Sequence, residues 1–252
     1  MKRKVKLLKS YVSSFLKDIS QFNRKITIFF KRSDLKWLET NKVERMDALI
    51  VDDNYTNESR REFHLDRYRF ATGFVKGKKV MDIACGTGYG TRILLEEGYA
   101  DKCIGVDIDK KAVLYAKKKH NVSGSDFICS SAENVPMNSE FADVIVSFET
   151  IEHVYGENLL IDEFYRLLKK DGLFIVSTPN SWPLSIAPFH TKEYDLDEFK
   201  RVLETKFEIE SIYNQNSGTP WKYNHNEKRG IVVTTDENKN LAECFIAVCK
   251  KK

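Results

Sequence analysis

The sequence has few cysteines, and their positions do not favour pairing or metal binding. Five occur in 252 residues. Their number is odd, their spacings are wide and no C-x-x-C pair is found, so we expect neither a disulfide framework nor a zinc site. We predict no metal site elsewhere, and reduced thiols favour a cytoplasmic protein. The five are Cys85, Cys103, Cys129, Cys244 and Cys249.

Long apolar runs are also missing. No stretch approaches the ~18 residues that are needed to cross a bilayer. The N-terminal residues lack the apolar core and the small-residue cleavage site of a secretory signal. Hydrophobic residues make up 42% of the chain and charged residues 31%, which is typical of a globular domain with its own core.

Acidic residues are nearly absent from the first part of the chain. Residues 1–32 carry ten Lys or Arg and one acid, Asp18, which gives +9 and leaves −5 for the other 220 residues of a chain whose net charge is +4. The acidic body argues against a nucleic-acid cleft. We divide the chain into a basic extension with a connector (1–60) and a domain (61–252).

Within the extension, apolar residues recur at helical spacing, which predicts an amphipathic helix. Its apolar face would pack on its own domain or on a second copy in a homodimer. Alternatively it would lie on an anionic membrane at the inner face, or the helix would serve as a nucleic-acid arm. The apolar positions are Leu8, Val12, Phe15, Ile19, Phe22, Ile26 and Phe29.

From residue 79 onward, strand patterns alternate with helix patterns, which predicts a doubly wound α/β fold with a seven-stranded, mostly parallel sheet. No helix pattern separates the last two predicted strands, so we expect them to be antiparallel. Residues 214–243 between them are polar and are predicted to form a long loop. The predicted strands are 79–83, 103–106, 126–129, 142–147, 173–177, 207–213 and 244–248. The predicted helix 159–169 should stop at Asp171-Gly172.

The strongest motif is the segment 80–90 (VMDIACGTGYG), in which three glycines follow a strand and open a helix. Glycine permits a tight turn and a close approach of the backbone to a ligand. Asp107 ends the next strand, where a carboxylate can hold both hydroxyls of a ribose. Asp82 precedes the glycines; a carboxylate there would repel a pyrophosphate and favour a ligand with positive charge.

These residues resemble the first two motifs of class I S-adenosylmethionine (SAM)-dependent methyltransferases. The segments 131–136 (SAENVP), 147–153 (SFETIEH) and 167–173 (LLKKDGL) are similar to later segments of the same family. The resemblance implies SAM as the cofactor and a Rossmann-like methyltransferase fold. It assigns to the cofactor site Tyr68, Asp82, Ala84, Gly86, Gly88, Asp107, Ile108, Ser131, Ala132, Glu133 and Phe148. Where the family often has an acid, this sequence has Ser131.

A narrower resemblance concerns the segments 64–68 (HLDRY) and 188–194 (PFHTKEY). They are similar to a bacterial subgroup associated with polysaccharide and sugar biosynthesis, which implies a sugar hydroxyl or a related phosphorylated metabolite as the acceptor. Ligands of doubly wound sheets bind beyond the carboxyl ends of the strands. We therefore expect Glu149, His153 and His190 to be catalytic, and His64, Arg67 and Tyr194 to bind the substrate.

Three alternatives stay open at this stage. The basic extension would suit an enzyme that methylates a membrane lipid or a quinone. Divergence at Ser131 would suit a SAM-binding regulatory module without catalysis. An RNA substrate would fit the fold, although the acidic body speaks against it.

Overall fold

The computed structural model describes residues 58–181, 189–218 and 228–252. The predicted extension and most of the connector, residues 1–57, lie outside the described residues, so the amphipathic helix and the domain boundary stay predictions. The first described element is helix α1 (Glu58–Thr72). In the described part of the chain, no helix combines the length and the apolar character that a membrane crossing requires.

The described strands form one mixed sheet of eight strands in the order β3-β2-β1-β4-β5-β8-β6-β7. Strands β1 to β5 run parallel, whereas β8 is antiparallel to both β5 and β6. The strands are β1 (Lys79–Ile83), β2 (Lys102–Asp107), β3 (Ser125–Cys129), β4 (Ala142–Phe148), β5 (Leu168–Pro179), β6 (Phe207–Asn216), β7 (Gly230–Val233) and β8 (Cys244–Lys251). The doubly wound fold and the antiparallel final strands are confirmed.

Four further helices connect the strands: α2 (Tyr89–Glu96), α3 (Lys110–Lys119), α4 (Glu157–Leu167) and α5 (Leu196–Leu203). Side-chain caps fix two of them. Asp109 accepts a hydrogen bond from the backbone N–H of Lys111 at the start of α3, and Asp195 accepts one from Glu198 at the start of α5. Such caps satisfy backbone donors that have no partner within the helix.

Two features differ from the sequence prediction. The sheet has an eighth strand, because β7 lies inside the segment that was predicted as a loop and pairs with β6 at the edge of the sheet. Val232 and Val233 of this edge strand are both exposed. Because neither face of the strand is buried, its sequence does not alternate between apolar and polar residues. Helix α4 ends at Leu167, and β5 begins at once; the Asp171-Gly172 pair lies within β5, beside a register shift relative to β4.

The position of β1 in the sheet locates the site. Strand β1 has β2 on one side and β4 on the other, and both neighbours are parallel to it. The chain continues from β1 to β2 on one side and from β4 to β5 on the other, so these two connections diverge and a crevice opens at the carboxyl ends of β1 and β4. Strand β4, on the floor of this crevice, is almost completely buried.

Candidate active site

The glycine-rich loop after β1 is packed on one side and open on the other. Gly88 has φ +86°, and a Cβ placed on it would lie 2.6 Å from Cβ of Ala116 and 2.8 Å from the ring of Phe127. Gly86 has φ +55°, but a Cβ there would meet nothing within 4 Å. The loop thus seals against α3 and β3 at Gly88, and at Gly86 it borders open space. Ala84, next to the loop, also has a positive φ of 65°.

Asp107 connects this loop to the end of β2. Its Oδ2 accepts a hydrogen bond from the backbone N–H of Gly86 (2.8 Å), and its Oδ1 accepts one from Asp109 (2.8 Å). The residue is 9% exposed. A carboxylate has about four acceptor positions, so Asp107 can hold the loop and also accept hydrogen bonds from hydroxyl groups of a ligand. Its predicted role in binding a ribose stays a prediction.

Asp82, in contrast, is completely buried at the end of β1. Its Oδ1 accepts a hydrogen bond from the hydroxyl of Tyr68 (3.0 Å), and its Oδ2 accepts one from Thr91 (2.7 Å). Burial raises the pKa of Asp82 to about 7, although both hydroxyls favour the charged form. The carboxylate therefore ties α1 and α2 to the strand, and its charge acts on the site from beneath the loop.

Tyr68 covers the loop from α1. Its ring lies so close to Gly90 that a Cβ on that glycine would be 2.0 Å from the ring. The ring also makes edge-on contacts with Tyr89 (5.3 Å between centroids) and with Phe148 at the end of β4 (5.1 Å). Tyr68 and Phe148, two predicted cofactor residues, thus form one aromatic cluster above β1.

The remaining predicted cofactor residues lie at the ends of β2 and β3. Ile108 follows Asp107 and is 57% exposed. The Oγ of Ser131 accepts a hydrogen bond from the backbone N–H of Glu133 (3.3 Å). Ala132 packs partly against the main core. These residues border the same edge of the sheet as Asp107.

A second group of side chains gathers at the ends of β4 and β5. Glu149 follows β4 with φ +50°. Its backbone N–H donates to the carbonyl of Ser177 (3.2 Å), and its Oε1 accepts a hydrogen bond from the Ser177 hydroxyl (2.7 Å). A non-glycine residue at positive φ is unusual, and here both strands fix it in place.

Arg67 holds Glu149 from the other side. It is 2% exposed, and its Nη1 lies 3.5 Å from Oε1 of Glu149. Nη1 also donates to the side chain of Gln215 (3.3 Å), and Nη2 donates to Nδ1 of His64 (2.7 Å). An arginine can only donate hydrogen bonds, so Nδ1 of His64 is the acceptor and carries no proton. Burial alone would lower the pKa of Arg67, but Glu149 raises it above its ordinary value.

His153 and His190 meet beside this ion pair, although 37 positions separate them in the sequence. Their ring centroids are 4.9 Å apart and the rings are nearly perpendicular. Nδ1 of His153 donates to the carbonyl oxygen of Phe189 (3.1 Å). Burial, followed by the neighbouring His153, lowers the pKa of His190 to about 4, so its ring is neutral near pH 7. The structure therefore brings the two predicted catalytic histidines together.

Tyr194 does not reach this surface. It is almost fully buried in the main core, and its hydroxyl donates to Oε2 of Glu157 (2.9 Å). Lys192 pairs with the same carboxylate (2.8 Å). The segment after His190 is thus anchored to the first turn of α4, and Tyr194 positions the segment.

Glu152 is a site residue for which the sequence suggested no role. It lies in a short 3-10 turn (Ile151–His153) and is buried. Oε2 accepts a hydrogen bond from Thr178 (3.2 Å), whereas Oε1 has no hydrogen-bond partner in the described structure and lies 3.8 Å from Nε2 of His153. An acid next to a histidine just after a buried strand is the signal that could have drawn attention to it.

The central part of the chain matches a known family model. Residues 81–176 match the model described as a methyltransferase domain. A protein of Mycolicibacterium smegmatis, named a probable S-adenosylmethionine-dependent methyltransferase, is 32% identical over 141 residues, which are 53% of each chain. A phthiotriol/phenolphthiotriol dimycocerosates methyltransferase of Mycobacterium tuberculosis is 31% identical over 99 residues, 39% of this chain and 36% of that protein. The chain thus spans about half, or less, of these relatives.

Among solved structures, a SAM-dependent methyltransferase of Thermotoga maritima, titled a possible histamine N-methyltransferase, superposes with a TM-score of 0.59. It is 19% identical, and the superposition covers 79% of this chain and 96% of that one. The fold is therefore the Rossmann-like methyltransferase fold. Residues 81–176 are thus similar to methyltransferase domains, and the names of the M. smegmatis relative and of the T. maritima structure give SAM as the cofactor of those proteins.

The described residues fit that cofactor. Gly86 borders space that a side chain would fill, and Asp107 beside it presents a carboxylate that suits the hydroxyls of a ribose. Ile108 offers an apolar face at the same rim. Beneath the loop, the charge of Asp82 suits the positive groups of SAM.

Proposed function

We propose that this chain transfers a methyl group from SAM to a hydroxyl of a small-molecule acceptor. The observation that carries the proposal is the pairing of two groups at one edge of the sheet. A loop that fits SAM lies at the ends of β1 and β2, and the Glu149, His153 and His190 group lies at the ends of β4 and β5. Phe148 joins the two, because it contacts Tyr68 and directly precedes Glu149.

SAM supplies an electrophilic methyl group on a positively charged sulfur. In this proposal Asp107 binds the ribose, Ile108 and the segment 131–133 border the adenine, and Tyr68 with Phe148 closes the loop. The main contribution of the protein is alignment of the acceptor oxygen with the methyl group, which can lower a barrier by roughly 7–11 kcal/mol. A group that takes up the hydroxyl proton contributes less, about 10²–10⁴-fold in rate.

The second group of residues would hold the acceptor. Glu149 is fixed by Ser177 and by the buried Arg67, so its carboxylate can accept a hydrogen bond from a hydroxyl without moving. His153 and His190 offer ring nitrogens on the other side. We propose a sugar, a nucleotide sugar or a related phosphorylated precursor as the acceptor, which is the class that the resemblance of segments 64–68 and 188–194 implies.

The test has two stages. Calorimetry with S-adenosylhomocysteine, and with NAD as the control, tests the cofactor; we expect binding of the first only. Single-turnover reactions with radiolabelled SAM and a panel of nucleotide sugars then test the transfer. Binding of NAD in preference to S-adenosylhomocysteine would contradict the cofactor assignment. Binding without turnover on any acceptor would favour the non-catalytic regulatory module.

A lipid acceptor is the second candidate, and two observations favour it. The relative from M. tuberculosis is named for lipid substrates, the phthiotriol and phenolphthiotriol dimycocerosates. In addition, Tyr155 and Leu159 are exposed near the start of α4, close in sequence to His153. Long-chain polyols in detergent micelles belong in the same acceptor panel. Methylation of these polyols, and of no sugar, would identify a lipid as the acceptor. Binding to anionic vesicles by chains with and without residues 1–32 would then test membrane contact through this segment.

A further inference from the structure

We propose that Glu152, His153 and His190 form a binding site for a divalent transition-metal cation. In the described part of the chain, these three residues are the one group of His, Cys, Asp or Glu side chains whose ligand atoms converge, with all three atoms within 4.8 Å of one another. The cysteine spacings, from which we predicted no metal site, carry no information on this group, and the fold alone brings His190 to the adjacent Glu152 and His153.

The orientation of His153 is the first argument. Its Nδ1 donates to the carbonyl oxygen of Phe189 at 3.1 Å. A neutral imidazole with its proton on Nδ1 carries a lone pair on Nε2, and Nε2 is the atom that faces Glu152 at 3.8 Å. Histidines that bind metals commonly donate the other ring N–H to a carbonyl, which fixes the tautomer and the ring orientation. His153 is therefore oriented as a metal ligand would be.

Glu152 provides a second, independent argument. Its side chain is 2% exposed, and Oε1 has no hydrogen-bond partner in the described structure. Burial of an unpaired carboxylate oxygen is costly. A cation between Oε1 and the two rings would satisfy this oxygen.

The third ligand, His190, is held in place by hydrogen bonds between the turn after β4 and the segment after β5. The N–H of Thr191 donates to the carbonyl of Glu152 (2.7 Å), and the Thr191 hydroxyl donates to the carbonyl of Val154 (2.5 Å). Together with the bond from His153 to Phe189, these contacts flank His190 on both sides. The turn after β4 and the segment after β5 are thus fastened together at the point where their side chains converge.

The ligand set selects the kind of cation. Two imidazoles and one carboxylate suit Zn²⁺, Fe²⁺, Co²⁺ or Mn²⁺ better than Mg²⁺ or Ca²⁺, which prefer sites made of oxygen atoms alone. Three protein ligands leave at least one coordination position open, as in catalytic metal sites. Structural sites of these metals usually have four protein ligands, so this set favours a functional site.

The role of the cation rests on the proposed function. An acceptor hydroxyl in the open position would become more acidic and lose its proton to solvent. A lone pair of its oxygen would then form the bond to the methyl carbon, and the carbon–sulfur bond would break with its electron pair kept by sulfur. The cation would select hydroxyl-bearing acceptors, with Glu149 beside it.

Cobalt binding to the full-length chain tests the site without any acceptor. After removal of bound metals with a chelator, titration with CoCl₂ should give one bound ion per chain and visible absorption bands of a low-symmetry Co²⁺ site. We expect Glu152→Gln, which keeps the shape of the side chain, and His190→Gln each to weaken Co²⁺ binding at least tenfold. His120→Gln, at the end of α3, is the matched histidine control and should bind Co²⁺ like the parent chain.

Thermal unfolding monitored by circular dichroism shows which variants are folded, and the isosteric Glu152→Gln keeps the test valid if His190→Gln unfolds. Absence of Co²⁺ binding by the parent chain, or equal binding by Glu152→Gln, would overturn the site. Calorimetry of the metal-free chain with S-adenosylhomocysteine separates the two proposals: cofactor binding without Co²⁺ binding removes the metal site alone, whereas Co²⁺ binding without cofactor binding removes the proposed methyl transfer and leaves the metal site.

Discussion

The two halves of the crevice are built in different ways. The centre of the cofactor half, at the ends of β1 and β2, consists of residues close together in the chain, from Asp82 to Asp107, and Tyr68, Phe148 and the segment 131–133 border it. The acceptor half combines His64 and Arg67 of α1 with the turn after β4, the segment after β5 and Gln215 of β6. Backbone geometry shapes the first half, and buried polar contacts shape the second.

Both halves bury charged groups, Asp82 among them, but they arrange these groups differently. In the cofactor half, Asp107 spans two backbone N–H groups at the rim. In the acceptor half, Arg67, Glu149 and Glu152 lie together in and below the floor, where each charge depends on its neighbours. A local motif can bind one conserved ligand with few residues. In a buried network, the removal of one partner leaves another charge unpaired, so a change at one residue affects the others.

The largest expected effect concerns the backbone of the cofactor half. Gly88→Ala should lower the free energy of unfolding by roughly 2–5 kcal/mol, because strain at positive φ adds to a clash with Ala116. Gly86→Ala carries the strain but meets open space, so about 1–2 kcal/mol is expected. Urea unfolding measures both. Equal losses in the two variants would show that the loop is not sealed at Gly88.

The next effect is a pH dependence that belongs to Asp82. The pKa of this group is about 7 in the folded chain and ~4 in the unfolded chain. The folded state therefore holds a proton that the unfolded state has lost, and stability falls as pH rises from about 4 to 7. Asp82→Asn cannot bind this proton, so its free energy of unfolding should not fall in this way. The difference between variant and parent should therefore shift by about 2–3 kcal/mol in favour of the variant between pH 5 and pH 8.

Chemical unfolding at pH 5, 6, 7 and 8 checks this prediction. Asp126→Asn, on the exposed side of β3, is the matched control, because it makes the same change of side chain at an exposed position. A parallel pH profile for the parent and Asp82→Asn would contradict the raised pKa.

The cofactor half was also the more predictable from the sequence. The glycines, Asp107 and the order of strands and helices follow from local patterns, since each is set by neighbours within about 25 residues. For His153 and His190, the sequence predicted only that each follows the end of a strand, not that the two rings are in contact. The buried positions of Arg67 and Tyr194, and the orphaned oxygen of Glu152, depend on contacts across the sheet. Strand β7 escaped prediction because an exposed edge strand has no buried face.

The smallest expected effects come from two matched acid-to-amide substitutions, one in each half of the crevice. Asp107→Asn should weaken binding of S-adenosylhomocysteine by about 10–100-fold, or roughly 1.4–2.7 kcal/mol, because an amide cannot accept hydrogen bonds at both of its ends. Glu149→Gln lies in the other half and should change this affinity by less than about threefold. Calorimetry measures both variants. A loss at Glu149 as large as that at Asp107 would mean that the ion pair with Arg67 shapes the cofactor pocket as well, and the division between the two halves would no longer hold.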